Sequence, residues 1–547
     1  MTDDDSTSSL ARSSAWMALG TVVSRVTGFV RLLLIAFTIG TLLDADLFNN
    51  ANTIPNALYI LVAGGIFNVV LVPQLVRAMK RDQDGGDAYA NRVITLGLLV
   101  LAIATVVLLL LVPALVRLVF DQKLFEPGFE TQRESAQLLM LLCMPQVFFY
   151  GAFVLVGQVL NARGRFGPMM WAPIANNMVA IAVLGVYIAV FGTSNGTDGF
   201  TTSQALLLGL GSTAGIAVQT LVLVPFLRRA GFLFRPRFDF RGVGLGHTLR
   251  LGWWTLLFIL ANQVSFIVIQ RLGTGGTLEG ADRGENAAGS AVYEIGFLVS
   301  QVPHGVITVS LATAVIPTLA ALAADARHDR MRLELGRTLR LALAIIAPLA
   351  VAAACLGPVG ADAIAYGGIR GNAEVIGLTI AAFAPAMIVF TIHYLMLRGF
   401  YANEDTRTPF FIQLAIAAVN VVAAITLTSR VEPSHVAAML ALSYGLAYLV
   451  GATLSSALLS RAIGPVIDRE TMVFAAKMVV ACGLSAAGMI GAVLGLGRLG
   501  LGTEGTGEAL AVLVAAGLAG AVVYVGSARL LGLDQLAYVV RSVLRRS

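Results

Sequence analysis

The chain has 547 residues, 57% of them apolar and only 12% charged, with a mean hydropathy of +0.83 and a formal net charge of +6. A water-soluble protein carries about twice that share of charge, so a soluble multidomain enzyme and a disordered chain are both excluded. An outer-membrane barrel is excluded too, because barrel strands alternate apolar and polar over about 10 residues, whereas apolar runs of about 20 residues or more recur throughout this sequence. An all-α polytopic membrane protein remains.

The first 14 residues, MTDDDSTSSLARSS, are acidic and polar. They lack the basic start of a secretory signal, so a cytoplasmic tail is expected at 1–14 and the helix after it is retained. Fourteen spans are predicted in chain order: 15–40, 47–76, 93–119, 135–160, 168–192, 204–227, 250–271, 289–322, 338–358, 375–397, 408–429, 434–459, 471–496 and 508–531. Lys and Arg orient them. With the N-terminus inside, 26 of the 37 Lys and Arg fall in cytoplasmic segments, 8 fall outside and 3 (Arg25, Arg31 and Lys477) lie within spans. An odd number of spans would scramble this bias, so both termini are expected in the cytoplasm. The three cysteines, Cys143, Cys355 and Cys482, lie in apolar stretches without metal-ligand spacing.

Two segments read as interfacial. Residues 230–249 contain Phe232-Leu-Phe-Arg-Pro-Arg-Phe-Asp-Phe-Arg241, which alternates apolar and cationic side chains. The tail at 533–547 places Leu536, Val539, Val540, Val543 and Leu544 on one helical face, the pattern of an amphipathic helix on the inner leaflet. Short cytoplasmic turns also recur six spans apart, Asn161-Ala-Arg-Gly-Arg-Phe-Gly-Pro168 before span 5 and Ala402-Asn-Glu-Asp-Thr-Arg-Thr-Pro409 before span 11. Val72-Pro-Gln-Leu75 and Ile316-Pro-Thr-Leu319 close spans 2 and 8 in the same way. This offset predicts parallel repeats: an N-lobe at 15–229, a C-lobe at 250–460, and two added spans within 461–532.

Polar residues inside spans are costly and mark function or helix contacts. Arg25 and Arg31 lie in span 1. Span 2 carries Asp46, Asn49, Asn52, Thr53 and Asn56 on one face with Pro55 as a kink, and Tyr59 extends it. Span 8 carries Glu294, Gln301 and Thr308 at sevenfold spacing, with His304 beside them; span 4 offers Gln146, Gln158 and Asn161 on a broader face. Two stripes and two Arg predict a wet cavity, with Arg25, Arg31, Asp46, Asn49, Asn52, Asn56 and Gln301 as substrate-binding candidates. The other reading of each amide is interhelical glue. No HExxH, P-loop or GxSxG occurs, so no catalytic residue, metal ligand or cofactor is assigned. His304 and His393 read as hydrogen-bonded helix residues.

Ser24-Arg-Val-Thr-Gly-Phe-Val-Arg31, Ala45-Asp-Leu-Phe48, Ile54-Pro-Asn56 and Val72-Pro-Gln-Leu75 together resemble the start of the MurJ (MviN) family of lipid II flippases, in the MOP superfamily. Pro303 to Leu319 and Tyr401-Ala-Asn-Glu-Asp-Thr-Arg-Thr-Pro409 resemble its C-lobe motifs. The resemblance implies a bacterial cytoplasmic (inner) membrane protein that moves lipid II, an undecaprenyl-pyrophosphate-linked disaccharide peptide, from the inner to the outer leaflet by alternating access. It implies that Arg25, Arg31 and Asp46 belong to the cavity. The chain departs from the family at Leu32, where an acid is usual, at Tyr59 and Leu298, which stand at Arg positions, and at Gln301, which stands at an acid. Family members can carry a sodium site among spans 7, 11 and 12; here span 11 offers Asn420 and no carboxylate. Besides lipid II, the expected partners are membrane lipids and cell-wall synthesis machinery, with no nucleic acid. Spans 13 and 14 read either as a groove for the lipid tail or as small-residue packing. A polysaccharide-lipid flippase or a drug/cation antiporter of the same superfamily, and a membrane scaffold, are the competing functions. An antiporter would normally have twelve spans and a membrane carboxylate.

Overall fold

The computed structural model describes residues 3–61, 84, 86–240, 245–366, 371–503 and 505–533, with side chains from residue 19 onward except 21, 22 and 245–252. Regular structure among these residues is helical, without a strand. The chain divides into two compact units, Met1–Gln263 and Val264–Ser547.

The first unit contains α1 (Asp3–Ile39), α2 (Leu43–Ala51), α3 (Thr53–Leu61), α4 (Asp87–Leu110), α5 (Val112–Val119), α6 (Glu130–Cys143), α7 (Gln146–Ala162), α8 (Gly167–Phe191), α9 (Thr202–Leu221) and α10 (Leu223–Arg229). From α11 (Leu245–Arg283) the chain enters the second unit: α12 (Ser290–Pro303), α13 (Val309–Ala324), α14 (His328–Ala363), α15 (Ala373–Ala402), α16 (Arg407–Thr428), α17 (Val436–Ile463), α18 (Arg469–Arg498) and α19 (Thr506–Leu530). Twelve stretches among the described residues are long and apolar enough to cross a membrane, and they fall on predicted spans 3–14. Their outer surfaces stay apolar, as at Leu110 (77% exposed) and Val479 (72%). Such surfaces suit lipid, and the backbone groups beneath them are closed within each helix.

Span 2 is interrupted, as its proline predicts. Pro55 has no N–H to offer, and α2 ends at Asn52 before α3 restarts at Thr53. The remainder of span 2, with Val72-Pro-Gln-Leu75, lies outside the described residues, as does the amphipathic tail. Span 3 begins earlier than expected, at Asp87, and breaks at Leu111 just before Pro113. Span 8 contains a π turn, His304–Thr308, immediately after Pro303. The basic segment before span 9 is helix, not loop: α14 starts at His328 and buries Met331, Leu335 and Leu339 on one face, while Asp329, Arg330 and Arg337 point outward.

The largest departure is in span 7. The segment after Arg271, rich in glycine and expected to be a loop, continues as helix to Arg283. Its glycines serve close packing. A Cβ on Gly273 would lie 2.8 Å from the Ser290 backbone, one on Gly276 2.9 Å from Val436, and one on Gly280 2.5 Å from Ala287. By contrast, Gly483, Gly491 and Gly495 of α18 face open space; Gly488 alone of the four packs, against Val523 of α19. Buried Arg340 ties α14 to the start of α18, donating to Thr471 Oγ1 at 3.0 Å and pairing with Glu470 at 3.1 Å.

In the first unit, the loop at 192–200 is clamped over the α1–α2 junction. Thr41 N donates to Asn195 Oδ1 at 3.0 Å, Asp44 N to Gly196 O at 3.2 Å, and Gly199 N to Asp44 Oδ1 at 2.9 Å. Gly196 fits closely there: a Cβ would sit 2.4 Å from Asp44 Oδ2, so the carboxylate would have to shift. Burial pushes the Asp44 carboxyl up to about 6, against the Gly199 hydrogen bond, and nearby Asp198 adds to the rise. The folded state therefore takes up a proton near pH 6 that the unfolded chain takes up only near pH 4, so stability rises as pH falls from above 6 towards 4. Asp44→Asn should flatten that slope and stabilise the protein at pH 8 by on the order of 2 kcal/mol. Melting temperatures in detergent from pH 4 to 8 test this; an unchanged slope contradicts it.

Candidate functional site

Arg25 is exposed on α1 and Arg31 is partly buried, two turns further on. Neither makes an ion pair or hydrogen bond with a described residue. Arg31 borders a small cleft with Phe48, Leu184 and Ser212, and lies within electrostatic range of Tyr150 and Cys143. A guanidinium in a membrane helix without a carboxylate beside it is costly unless a ligand or water completes it.

The span 2 stripe separates into buried and open residues. Asp46 is fully buried, Asn49 and Asn52 are half-buried, and Asn56 is exposed. Asn52 sits at the break between α2 and α3. Its Nδ2 donates to Phe48 O at 2.9 Å, and its Oδ1 accepts from Gln146 Nε2 at 2.9 Å. One turn along α7 from Gln146, Tyr150 stacks on Tyr59 of α3, with ring centroids 4.6 Å apart and planes at 29°. α7 therefore gathers Asn52, Tyr59 and Arg31 into one neighbourhood. Neither tyrosine hydroxyl hydrogen-bonds to a described residue. Tyr150 was missed by sequence reasoning, although its spacing of four from Gln146 places both on one helical face.

In the second unit the predicted stripe is committed to helix contacts. Glu294 Oε1 accepts from Gln270 Nε2 at 2.7 Å, Gln301 Nε2 donates to Tyr444 OH at 3.3 Å, and the Thr308 and Thr391 hydroxyls lie 3.4 Å apart. His304 lies between the rings of Phe390 and Tyr394. His393 Nδ1 is 3.2 Å from both Gly451 O and Ser455 Oγ, the hydrogen-bonded role expected of it. Asn420 links α11 and α17, donating to Ser265 Oγ at 3.1 Å and accepting from Ser443 Oγ at 3.0 Å. Gln301 is thus the one candidate that lies in the second unit, and its amide serves as glue there. Among the described residues, no three His, Cys, Asp or Glu gather as a metal site would require.

A cation, two phenol hydroxyls and amides can together hold a large polar head group bearing phosphate. The fold is one that solved membrane-protein structures share. A solved structure described as an inward-facing multidrug resistance MATE family transporter of the MOP superfamily superposes with a TM-score of 0.59 at 14% identity, covering 80% of this chain and 94% of its own. A structure described as "Lipid II flippase MurJ, inward closed conformation" superposes with a TM-score of 0.71 at 16% identity, covering 95% of this chain and 99% of its own.

The sequence narrows the class further. The family model described as "Lipid II flippase MurJ" matches residues 35–498. Two proteins named "Probable lipid II flippase MurJ" are similar to this chain. The one from Haemophilus influenzae is 28% identical over 415 residues, 71% of this chain and 75% of its own. The one from Rhizobium meliloti is 27% identical over 445 residues, 78% of this chain and 77% of its own. The chain belongs to the MurJ family.

If the Tyr59–Tyr150 stack holds α3 against α7, a double-mutant cycle of Tyr59→Ala and Tyr150→Ala should give a coupling of about 0.5–1.5 kcal/mol in thermal stability. Tyr59→Phe, which keeps the ring, should leave stability unchanged within about 0.5 kcal/mol. Additive effects would mean that the contact does not hold these helices.

Proposed function

We propose that this protein moves lipid II from the inner to the outer leaflet of the bacterial cytoplasmic membrane by alternating access, as a transporter and not an enzyme. Membership of the MurJ family supports the substrate. The observation that carries the site is Arg31, a membrane-embedded guanidinium without an acidic partner among the described residues, beside two tyrosine hydroxyls that are also uncommitted. Arg31 binds the pyrophosphate, because its fork donates paired hydrogen bonds to phosphate oxygens. Arg25 adds charge from the more exposed end of the same helix. Asn49 and Asn56 offer amides to the sugars and peptide, while Asn52, closed on Phe48 and Gln146, joins Asp46 and Gln301 in orienting the helices that carry them.

The remaining architecture follows the same reading: fourteen spans with both termini in the cytoplasm, an N-lobe at 15–229, an interfacial linker at 230–249, a C-lobe at 250–460, and two added spans within 461–532 that shelter the lipid tail. The extended α11 moves the outer connection before span 8 to 284–289. A single cysteine at Asn286 in a cysteine-free background should therefore react with a membrane-impermeant maleimide from outside, and one at Arg330 should not. Equal reaction from that side contradicts the topology.

Leaflet exchange of labelled lipid II in vesicles containing only this protein tests the function. Arg31→Ala should abolish exchange and weaken lipid II binding about 30-fold or more, the loss expected when a charged partner leaves a low-dielectric site. Arg31→Lys should rescue only partly, because a point charge cannot reproduce a bidentate fork. Asn52→Ala should be milder, since its amide closes on Phe48 and Gln146 and water can take its place there. Normal exchange by Arg25→Ala and Arg31→Ala at normal protein levels would remove these residues from the phosphate site.

A further inference from the structure

The segment that leaves α10 has a fixed shape. Phe232 is fully buried in the cluster formed by Val93, Phe153, Leu155 and Leu223, with Arg163 over its ring at 5.1 Å. Arg163 also donates to Ala230 O at 2.9 Å and pairs with Asp87. Beyond Phe232 the chain has no regular structure to Phe240 and runs along α4. Arg235 N donates to Asn91 Oδ1 at 2.7 Å, and Arg237 N donates to Thr95 Oγ1 at 3.0 Å. Asp239 pairs with Arg92 at 2.6 Å, and that hydrogen bond holds its carboxyl below the usual carboxylate range. The strap thus behaves as a lone strand whose ladder is a row of helix side chains.

This anchoring decides what is left outside. Leu233 is 57% exposed, Phe234 41% and Phe238 70%. Arg228, Arg229, Arg235 and Arg237 are all exposed. Between Arg228 and Phe240 the single acid is Asp239, already paired with Arg92. Apart from that residue, Asp84 is the acid among the described residues within electrostatic range of Arg237. Two exposed aromatic rings, a leucine, Arg235 and Arg237 therefore share an anchored segment that starts three residues after a membrane-crossing stretch whose last two residues are Arg228 and Arg229. Water does not favour that surface. The headgroup layer does, because rings and leucine enter the acyl boundary while guanidinium groups meet lipid phosphates. The excess of positive charge selects anionic over zwitterionic headgroups.

We propose that the strap Phe232–Phe240, with Arg228 and Arg229, is a docking site for anionic phospholipid headgroups of the leaflet in which it lies. The site is separate from the substrate site and stands whatever lipid-linked substrate the protein carries.

The full-length protein carrying Phe238→Trp tests it, reconstituted in vesicles with either phosphatidylglycerol or phosphatidylcholine brominated at the same mole fraction. Fluorescence of the unsubstituted protein is subtracted. Quenching of the added tryptophan by brominated phosphatidylglycerol should exceed that by brominated phosphatidylcholine by about threefold or more. Arg228→Gln, Arg229→Gln, Arg235→Gln and Arg237→Gln together should bring the two lipids level. So should salt at about 1 M, where screening shortens to about 3 Å. Equal quenching by both lipids with the four arginines present overturns the proposal. A phosphatidylglycerol preference that survives their removal overturns it too, as does the absence of quenching by either lipid.

Discussion

A polar group surrounded by hydrocarbon must find a partner, at a penalty of several kcal/mol if it does not. Within spans, that rule sorts this molecule's side chains into two sets. Most close on one another: Glu294 with Gln270, Asn420 with Ser265 and Ser443, and Asn52 with Gln146. These pairs fix helix to helix in a medium where apolar contact alone gives little preference. The second set, Arg31 with the hydroxyls of Tyr59 and Tyr150, is left open, and it lies on helices whose neighbouring polar groups are satisfied. A site that must accept and then release a charged head group needs this kind of incompleteness, since a donor already satisfied from within offers nothing new to a ligand.

The two stripes that look alike in sequence therefore diverge in structure. On α12 and the π turn after it, the sevenfold spacing of Glu294, Gln301 and Thr308 reports contact with neighbouring helices. On α2 and α3 the break at Asn52 divides the stripe, burying Asp46 and leaving Asn56 outside. Spacing fixes the face a residue occupies; it does not tell whether that face meets a neighbouring helix or open space. The distinction needs the partner helix, and for Arg31 that partner carries Tyr150, an ordinary aromatic in an apolar run.

Much of the fold was legible because membrane thickness and charge placement are strong, local signals. The apolar length of the chain located twelve of the described spanning helices, and Pro55 located the break in span 2. Composition misled where small residues do structural work. The glycines after Arg271 read as a loop because glycine favours turns in water, yet here they let α11 approach Ser290, Val436 and Ala287. The basic run at the start of α14 misled for the opposite reason: charge marked it as a connection, while Met331, Leu335 and Leu339 carried a helical period beneath it. The strap at 232–240 could be recognised as amphipathic, but its anchoring to Asn91 and Thr95 depends on residues about 140 positions away, which no local pattern encodes.

The π turn at His304–Thr308 has a mechanical meaning. A π turn holds one residue more than an α turn, so it stores a single step of helical register. Reabsorbing that residue would rotate α13 by about 100° relative to α12 and shift it by about 1.5 Å along the axis. Val306 and Ile316, now 53% and 39% exposed, would then change sides with residues that are buried today. The α12–α13 pair therefore carries a step of register where a plain bend would carry none, and the hydroxyl contact between Thr308 and Thr391 lies at that step.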